Sequence, residues 1–590
     1  MIKENWVVLN KKADFNAIGK KYSIDPVTAR VIINRNIPED HIKAYLACDF
    51  ADLYEPEKML GIKEASALLA KKIKENKKIR IIGDYDVDGV CSTYILKRSI
   101  AECGVSADAV IPDRVKDGYG INETMIEKAK ADGIDTIITC DNGIAAYSQI
   151  ELAKNYGITV ILTDHHEIPL SDTGEEVIPP ADIVVNPHLK ADNYPFKDVC
   201  GAVVAFKLMQ ATLSLAISKD DTNRVLSELF EFAALATVCD VMPLIDENRI
   251  IVKNALPRLR HSANIGLRAL IVASDLIDKK LTAFHLGYVI GPCVNAAGRL
   301  ETADKALALF DEHDREKAMN MATELVKTNN KRKSMTQVFE EEACRLTEEN
   351  NEQDNNVIFL HLSGCHESLA GIIAGRIRER YERPTVVFTD DISGNLKGSG
   401  RSTDDFDMFT QFSKCKDLFI KFGGHKAAAG MSITKDNYAK LKAYFNSKPA
   451  ETLPQKKITI DVPMPLSYCS APLATEFERL EPFGNGNSKP LFAEAGLKLI
   501  AITRMGKNNN AAKMTLLDQH DKSFTAVYFG NLDELNKRLS PSGDNYEINM
   551  LYEGVRNNEI VVDIAYNLGI NSFKGANEAQ AVVKHIRRKT

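Results

Sequence analysis

The 590-residue chain lacks any C-x-x-C pair; its eleven cysteines are scattered singly. That excludes a zinc ribbon and a dithiol redox motif. Cys140, Cys200 and Cys239 lie in apolar runs and read as small buried hydrophobes, a usage that fits a reducing cytoplasm. The first residues, MIKENWVVLNKK, lack the basic-then-apolar pattern of a secretory signal. Long uncharged apolar runs are also missing. The most apolar stretch, 199–217, carries Lys207 and Gln210 and reads as a buried helix, not a membrane span. There is no internal repeat and no low-complexity tract. Basic residues are not in excess: 75 Lys and Arg face 81 Asp and Glu, for a net charge of −6 and a pI near 6.1. A global nucleic-acid signature is therefore absent, although a local basic channel can coexist with an acidic remainder. The expectation is a soluble cytoplasmic protein with no membrane association.

What is present begins with length, too great for one hydrophobic core and implying about three or four domains. Residues 1–57 read as an N-terminal helical segment. From 58 to 300, strands at 79–82, 108–111, 136–139, 159–162 and 183–185 alternate with helices. That alternation predicts an α/β domain with a doubly wound, mainly parallel sheet. Residues 301–350 hold neither glycine nor proline and read as a long connecting helix with basic residues Lys327, Lys331, Arg332 and Lys333. A second, smaller α/β domain is expected over 351–452. Over 453–575 the pattern becomes short period-two strands (KITIDV, KLIAIT, AKMTLL, FTAVYF, YEINMLYE, EIVVDIAY), which suggests a small β-barrel of OB type. Residues 576–590 read as a frayed basic tail.

The richest stretch is IRIIGDYDVDG. A β-type run ends in Gly83, and Asp84, Asp86 and Asp88 follow on alternate positions. Residues i, i+2 and i+4 of an extended chain share one face, where three carboxylates repel unless a cation joins them. An EF-hand is excluded, because its twelfth loop position would be Ile95 instead of Glu and a strand precedes the loop. A solvated acidic turn is the plainer alternative. Further strand ends carry Asp141 (TCDNG) and Asp164, His165 and His166 (TDHHE), and Asp240 follows an apolar helix. In an open parallel sheet such ends form one crevice. Carboxylates with one or two imidazoles and no thiolate suit Mn²⁺ or Mg²⁺. Five or more ligands exceed the needs of one open ion and suit two ions about 3.5–4 Å apart. The reaction class is phosphoester hydrolysis.

The ordered motifs GDYDVDG, IPDRVKDGYG, TCDNG, TDHH and ATVCDVMPL resemble those of the DHH phosphoesterase superfamily. With GPCVNAAGRL, GIIAGRI, KGSGRS, GGHKAAAG and LEPFGNGNSKPLF, the chain is similar from about residue 30 to 565 to the RecJ branch, single-strand-specific 5′→3′ DNA exonucleases. The resemblance implies that Asp86 binds the first metal, with Asp84 a ligand or just behind it. Asp141 would bridge both ions, and Asp88, His165 and Asp240 would hold the second. His166 would face the scissile phosphate while Asp164 orients the histidines. The second domain would be the family's DHHA1 substrate-binding domain. Arg114, Arg299, Ser399, Arg401, Ser402 and the glycine-flanked His425 are the substrate-binding candidates, with Arg299, Ser399 and Arg401 placed at the 5′ end. In the barrel, Tyr528 and Phe529 are alternatives between base-stacking platforms and core. Expected partners are single-stranded DNA, single-strand-binding protein and a helicase, and the expected state is a monomer.

Two positions depart from the family pattern. Cys293 stands where an arginine is usual, and CHESLAG (365–371) replaces an aromatic-histidine-proline-glycine run. Both are expected near the DNA path, where they would shift substrate preference. Two other functions fit the motifs: a phosphoesterase acting on short oligonucleotides, and a non-catalytic single-strand-binding scaffold. Length and the C-terminal barrel oppose the first. Retention of the complete, mutually repelling acid cluster opposes the second.

Overall fold

The structure is a computed structural model, and it describes residues 4–114, 117–118, 120–391, 393–447, 456–506, 510–540, 546–554, 560–571 and 577–589. The chain opens on strand β1 (Glu4–Val8) and turns helical. It divides into two compact units, one of Tyr54–Met242 with Asn254–Pro454, the other of Met1–Leu53, Pro243–Lys253 and Gln455–Thr590.

The first unit holds a five-stranded parallel sheet of β2 (Ile79–Ile82), β3 (Asp108–Val110), β4 (Thr136–Cys140), β5 (Thr159–Thr163) and β6 (Ile183–Val185). Their order is β3-β2-β4-β5-β6. The doubly wound sheet is as the alternation predicts. The chain winds outward from β2 in both directions, so the crevice between the carboxyl ends of β2 and β4 is the topological switch point where such folds bind ligands. Every residue of β2 is buried, Arg80 included. The guanidinium of Arg80 survives burial because Asp108 and Asp132 accept from it at 2.6 and 2.7 Å.

The second sheet of this unit has the order β10-β11-β9-β8-β7, from β7 (Ile358–His361), β8 (Thr385–Asp390), β9 (Leu396–Arg401), β10 (Lys421–His425) and β11 (Ala428–Ile433). The expected single connecting helix is two: Asp304–Asp311, then the 35-residue Arg315–Glu349. Asp314 caps the longer one by accepting from Lys317 N at 2.9 Å, and this restart interrupts the helix. The basic cluster is split, with Arg332 buried and Lys327, Lys331 and Lys333 exposed.

In the other unit, β12 (Lys456–Ile460) pairs in parallel with β1. A short β13 (Val462–Pro463) leads to β14 (Phe492–Met505), followed by β15 (Ala511–Leu517), β16 (Ser523–Phe529), β17 (Val561–Asn571) and β18 (Glu578–Arg588). β14 pairs with both β15 and β17, β16 with β18 and β18 with β17, which closes a five-stranded barrel. Bulges in β14 let one strand serve two partners.

Three expectations fail here. Residues 546–552 form a helix, Tyr546–Tyr552, because Ile548 and Leu551, three apart, are its buried pair. The basic tail is strand β18, with Val583 and Ile586 buried and Arg587 and Arg588 paired to Asp563 and Glu547 at 2.9 and 2.7 Å. The N-terminal segment is not purely helical, and Val31 and Ile32 join the core cluster of Phe492 and Tyr566. Among the described residues no helix is long and apolar enough to cross a membrane.

Candidate metal centre and anion pocket

The centre forms where the chain leaves β2, β4 and β5. Asp86 caps the Val87–Glu102 helix, its Oδ1 accepting from Asp88 N at 2.9 Å and Gly89 N at 3.1 Å. Asp88 accepts from Gly201 N and Ala202 N, both at 2.7 Å, at the start of the Gly201–Ala216 helix. Close packing here requires glycine. A Cβ on Gly89 would lie 2.3 Å from the Asp84 carbonyl oxygen, and one on Gly201 would lie 2.7 Å from Asp141 Cβ. Asp141 sits at φ 59°, and Asn142 Nδ2 donates to Ile82 O at 3.1 Å and Cys140 O at 2.9 Å, which ties the ends of β2 and β4 together.

Asp164 sets the histidines. Its carboxylate accepts from Ile144 N at 2.9 Å, His165 N at 2.7 Å and His166 N at 3.1 Å, and pairs with His166 Nδ1 at 2.7 Å. Burial opposes its charge, but the His166 hydrogen bond and both imidazoles outweigh that and hold its carboxyl below the usual range. For His166, burial is outweighed by the Asp164 hydrogen bond and nearby carboxylates, and its pKa rises to about 9. His165 goes the other way, lowered by burial. A neutral imidazole is the form a metal ligand needs.

His165 Nε2 lies 3.1 Å from Asp141 Oδ1, 3.5 Å from Asp88 Oδ2 and 3.7 Å from Asp240 Oδ2. One ring nitrogen can hydrogen-bond to one of these at a time, whereas a cation can satisfy all of them. Ligand atoms of three sets lie within 4.8 Å of one another: Asp84, Asp86 and Asp141; Asp88, His165 and Asp240; and Asp141 with both histidines. Asp84 is pushed up to about 8 by burial and then by Asp86, and Asp240 to about 8 by burial and then by Asp88 and Asp86. Burial and neighbouring acids also raise Asp86 and Asp141. Asp84 Oδ1 and Asp240 Oδ2 are buried with no hydrogen-bond partner. Orphaned carboxylate oxygens in a cluster that resists ionisation fit two divalent cations with hard oxygen preferences.

Beside this centre lies a cavity of 370 Å³ lined by Arg114, Arg299, Arg376, Arg378, Arg401, Ser368 and Ser399 among others. Tyr85, between Asp84 and Asp86, carries the Arg114 guanidinium 4.8 Å over its ring. A Cβ on Gly298 would lie 2.5 Å from Tyr85 O, so the Gly291–Leu300 helix packs on the acidic loop and brings Arg299 next to it. Arg299 donates to Ser368 O at 2.9 Å and Arg401 to Gly400 O at 2.8 Å. Among the described residues, no carboxylate lies within ion-pair distance of Arg114, Arg299 or Arg401. Burial, then Arg114 and Arg332, lowers Arg299 to about 9; burial, then Arg114 and Arg378, lowers Arg401. Cations that depress one another's charge and lack a counterion form an anion site.

Four of the six substrate-binding candidates, Arg114, Arg299, Ser399 and Arg401, meet in that cavity. Ser402 and His425 do not line it. The Ser402 hydroxyl is buried and donates to Phe406 O. His425 ends β10, exposed, in a hairpin with β11, so GGHKAAAG is a strand pair. Sequence reasoning missed Tyr85, Ser368, Arg376 and Arg378. The available signal was Gly371 and Gly375, one turn apart on the Glu367–Tyr381 helix. A Cβ on Gly371 would lie 2.7 Å from Arg401 Nη2. Of the two departures, Cys293 is buried and bonded to Val289 O and Asn329 Nδ2, away from the cavity, whereas Glu367, Ser368 and Gly371 line it. In the barrel, Tyr528 is core and Phe529 is 57 % exposed.

Comparison with known proteins matches residues 78–237 to the DHH family N-terminal domain, 354–450 to the DHHA1 domain and 460–585 to the RecJ OB domain. The single-stranded-DNA-specific exonuclease RecJ of Haemophilus influenzae is 30 % identical over 587 residues, covering 96 % of this chain and 97 % of that one. The chain belongs to the RecJ family. Crystal structures of RecJ from Thermus thermophilus agree with the fold. The complex with Mn²⁺ has a TM-score of 0.80 at 26 % identity, covering 100 % of this chain and 80 % of that one. The complex with Mg²⁺ has a TM-score of 0.74 at 25 % identity, covering 100 % and 79 %. The three-part RecJ organisation that the motifs implied, DHH, DHHA1 and OB, is therefore present.

Proposed function

We propose that this chain is a metal-dependent exonuclease that hydrolyses single-stranded DNA from the 5′ end to mononucleotides. The observation that carries this reading is the junction of two features: a carboxylate-histidine cluster with orphaned oxygens, and an adjoining cavity in which Arg114, Arg299 and Arg401 have no ion-pair partner among the described residues. Asp84, Asp86 and Asp141 would hold one Mn²⁺ or Mg²⁺ ion, and Asp88, His165 and Asp240, with Asp141 shared, the other. When bound, such a pair supplies a nucleophile at neutral pH and stabilises the charge of phosphoryl transfer. His166, held at Nδ1 by Asp164 and 43 % exposed, carries a positive charge toward the phosphate being cleaved. Arg299, Arg401 and Ser399 grip the terminal phosphate, with Arg114 fixed over Tyr85 between the cavity and the acids. The OB-type barrel offers strand-tracking surface, with Phe529 exposed for stacking. The cell role that follows is end resection in DNA repair and recombination, in the cytoplasm, as a monomer working with single-strand-binding protein and a helicase.

The test gives the full chain and Mn²⁺ single-stranded and duplex oligomers labelled at either end. The expected products are 5′-labelled mononucleotides released at once, 3′-labelled strands shortening progressively, and blunt duplex left intact. Shortening from the 3′ end, or equal rates on duplex, would contradict the assignment.

A further inference from the structure

An aromatic pair on the surface has no part in the centre described above. Phe284 and Tyr288 are 60 % and 69 % exposed. Their rings stack with planes 20° apart and centroids 5.0 Å apart. Phe284 lies in the Ala283–His285 helix and Tyr288 in the π-helical turn Leu286–Ile290 that continues it. Residues four apart share a helix face, and π-turns are concentrated at functional sites. Two large rings kept in water, already parallel, form a surface shaped for a third flat ring.

The pair is tied to the metal centre by its backbone. Cys239 Sγ donates to Leu286 O at 3.5 Å, and a Cβ on Gly291 would lie 2.3 Å from that sulfur. The π-turn is thus packed on the residue immediately before Asp240, while Val241, immediately after, is 65 % exposed. In the other direction the turn runs into the Gly291–Leu300 helix, which ends at the arginine cavity. Tyr288 and Arg299 are eleven residues apart, roughly 16 Å along a helix. One rod therefore spans the centre. Its far end abuts Tyr85 between Asp84 and Asp86, and its near end packs on Cys239, the neighbour of Asp240, a member of the other ligand set. Lys279 and Lys280, both exposed, precede the pair and suit a phosphate backbone.

We infer that Phe284 and Tyr288 are the platform on which bases of the retained strand stack, on the 3′ side of the scissile bond. This rests on the reading of the chain as a 5′ single-strand exonuclease: with the terminal phosphate in the arginine cavity, the strand leaves past Asp240 and meets the pair. Every base has a π-face, so the platform tolerates any sequence, and in a duplex those faces are covered by neighbouring pairs. Selection for unpaired strands is thereby built into the path of the retained strand.

The test compares wild type, a Phe284→Leu/Tyr288→Leu variant and Tyr288→Trp, as full chains. Substrates are a 5′-phosphorylated thymidine oligomer and the same oligomer with abasic residues downstream of the scissile bond. The leucine variant should show KM raised about tenfold or more with kcat within about twofold. Abasic substitution should raise KM for wild type and Tyr288→Trp and leave the leucine variant indifferent. Binding of a fluorescent thymidine oligomer in EDTA reads the platform without turnover, and should weaken about tenfold in the leucine variant. Wild-type KM, binding and abasic penalty retained in that variant would overturn the platform and leave the pair to some other partner. An inactive wild type whose binding still depends on the pair would instead overturn the exonuclease reading and leave the platform standing.

Discussion

Asp141→Asn is expected to lower turnover on single-stranded DNA by at least about 10³-fold, because several kcal/mol of transition-state stabilisation are lost with the shared ligand. The substitution keeps shape and removes charge. Asp141 belongs to the Asp84–Asp86 set, and its Oδ1 is 3.1 Å from Nε2 of His165, a member of the set with Asp88 and Asp240. The fold should survive, since burial and four neighbouring aspartates already disfavour its ionised form. His166→Ala provides the contrast. It lies at the exposed edge and should lower kcat while leaving ion binding close to wild type. Single-turnover kinetics beside circular dichroism check both variants. Asp141→Asn activity above a tenth of wild type would remove the residue from the shared position.

The second large effect is on the metal-free protein, whose stability should fall as pH rises from 6.5 to 8. Asp84 and Asp240 have folded pKa values near 8 against about 3.8 unfolded, so the folded state binds more protons throughout that window. His166, raised to about 9, contributes in the same direction, because its stabilisation is complete below 6.5 and is lost toward 9. His165, lowered, acts oppositely, but only as pH falls below its unfolded value. The net loss is on the order of 4 kcal/mol across the window. Calorimetry in EDTA should show the melting temperature of the metal-free chain dropping by a few degrees between the two pH values. Saturating Mn²⁺ should abolish or reverse the slope, since deprotonated ligands are the ones ions bind. A melting temperature that rises with pH in EDTA would mean that the cluster is not uncompensated.

The centre was legible because its parts are local and its assembly is topological. Asp84, Asp86 and Asp88 stand out by their period, and Asp141 and Asp164 by following apolar strands. A parallel sheet brings such ends together without further information. The cavity was half legible. Arg299 and Arg401 were found in their motifs, but Arg376 and Arg378 lie on a helix whose glycines alone hint that another chain approaches it. Tyr85 was hidden between two acids that claimed the same loop. Ser402 and His425 fall outside the cavity, because a short glycine-rich string does not show which of its side chains reach a shared site. Least legible were long-range pairings. Nothing local shows that β1 pairs with β12, or that the basic run 584–588 has acids waiting at Asp563 and Glu547.

The central claim is that these strand ends make one two-ion centre, and counting ions tests it most directly. Equilibrium dialysis against Mn²⁺ with elemental analysis should give two ions per chain for wild type. Asp240→Ala should retain one, through Asp84, Asp86 and Asp141. One ion or none in wild type, or two retained in Asp240→Ala, would contradict the account.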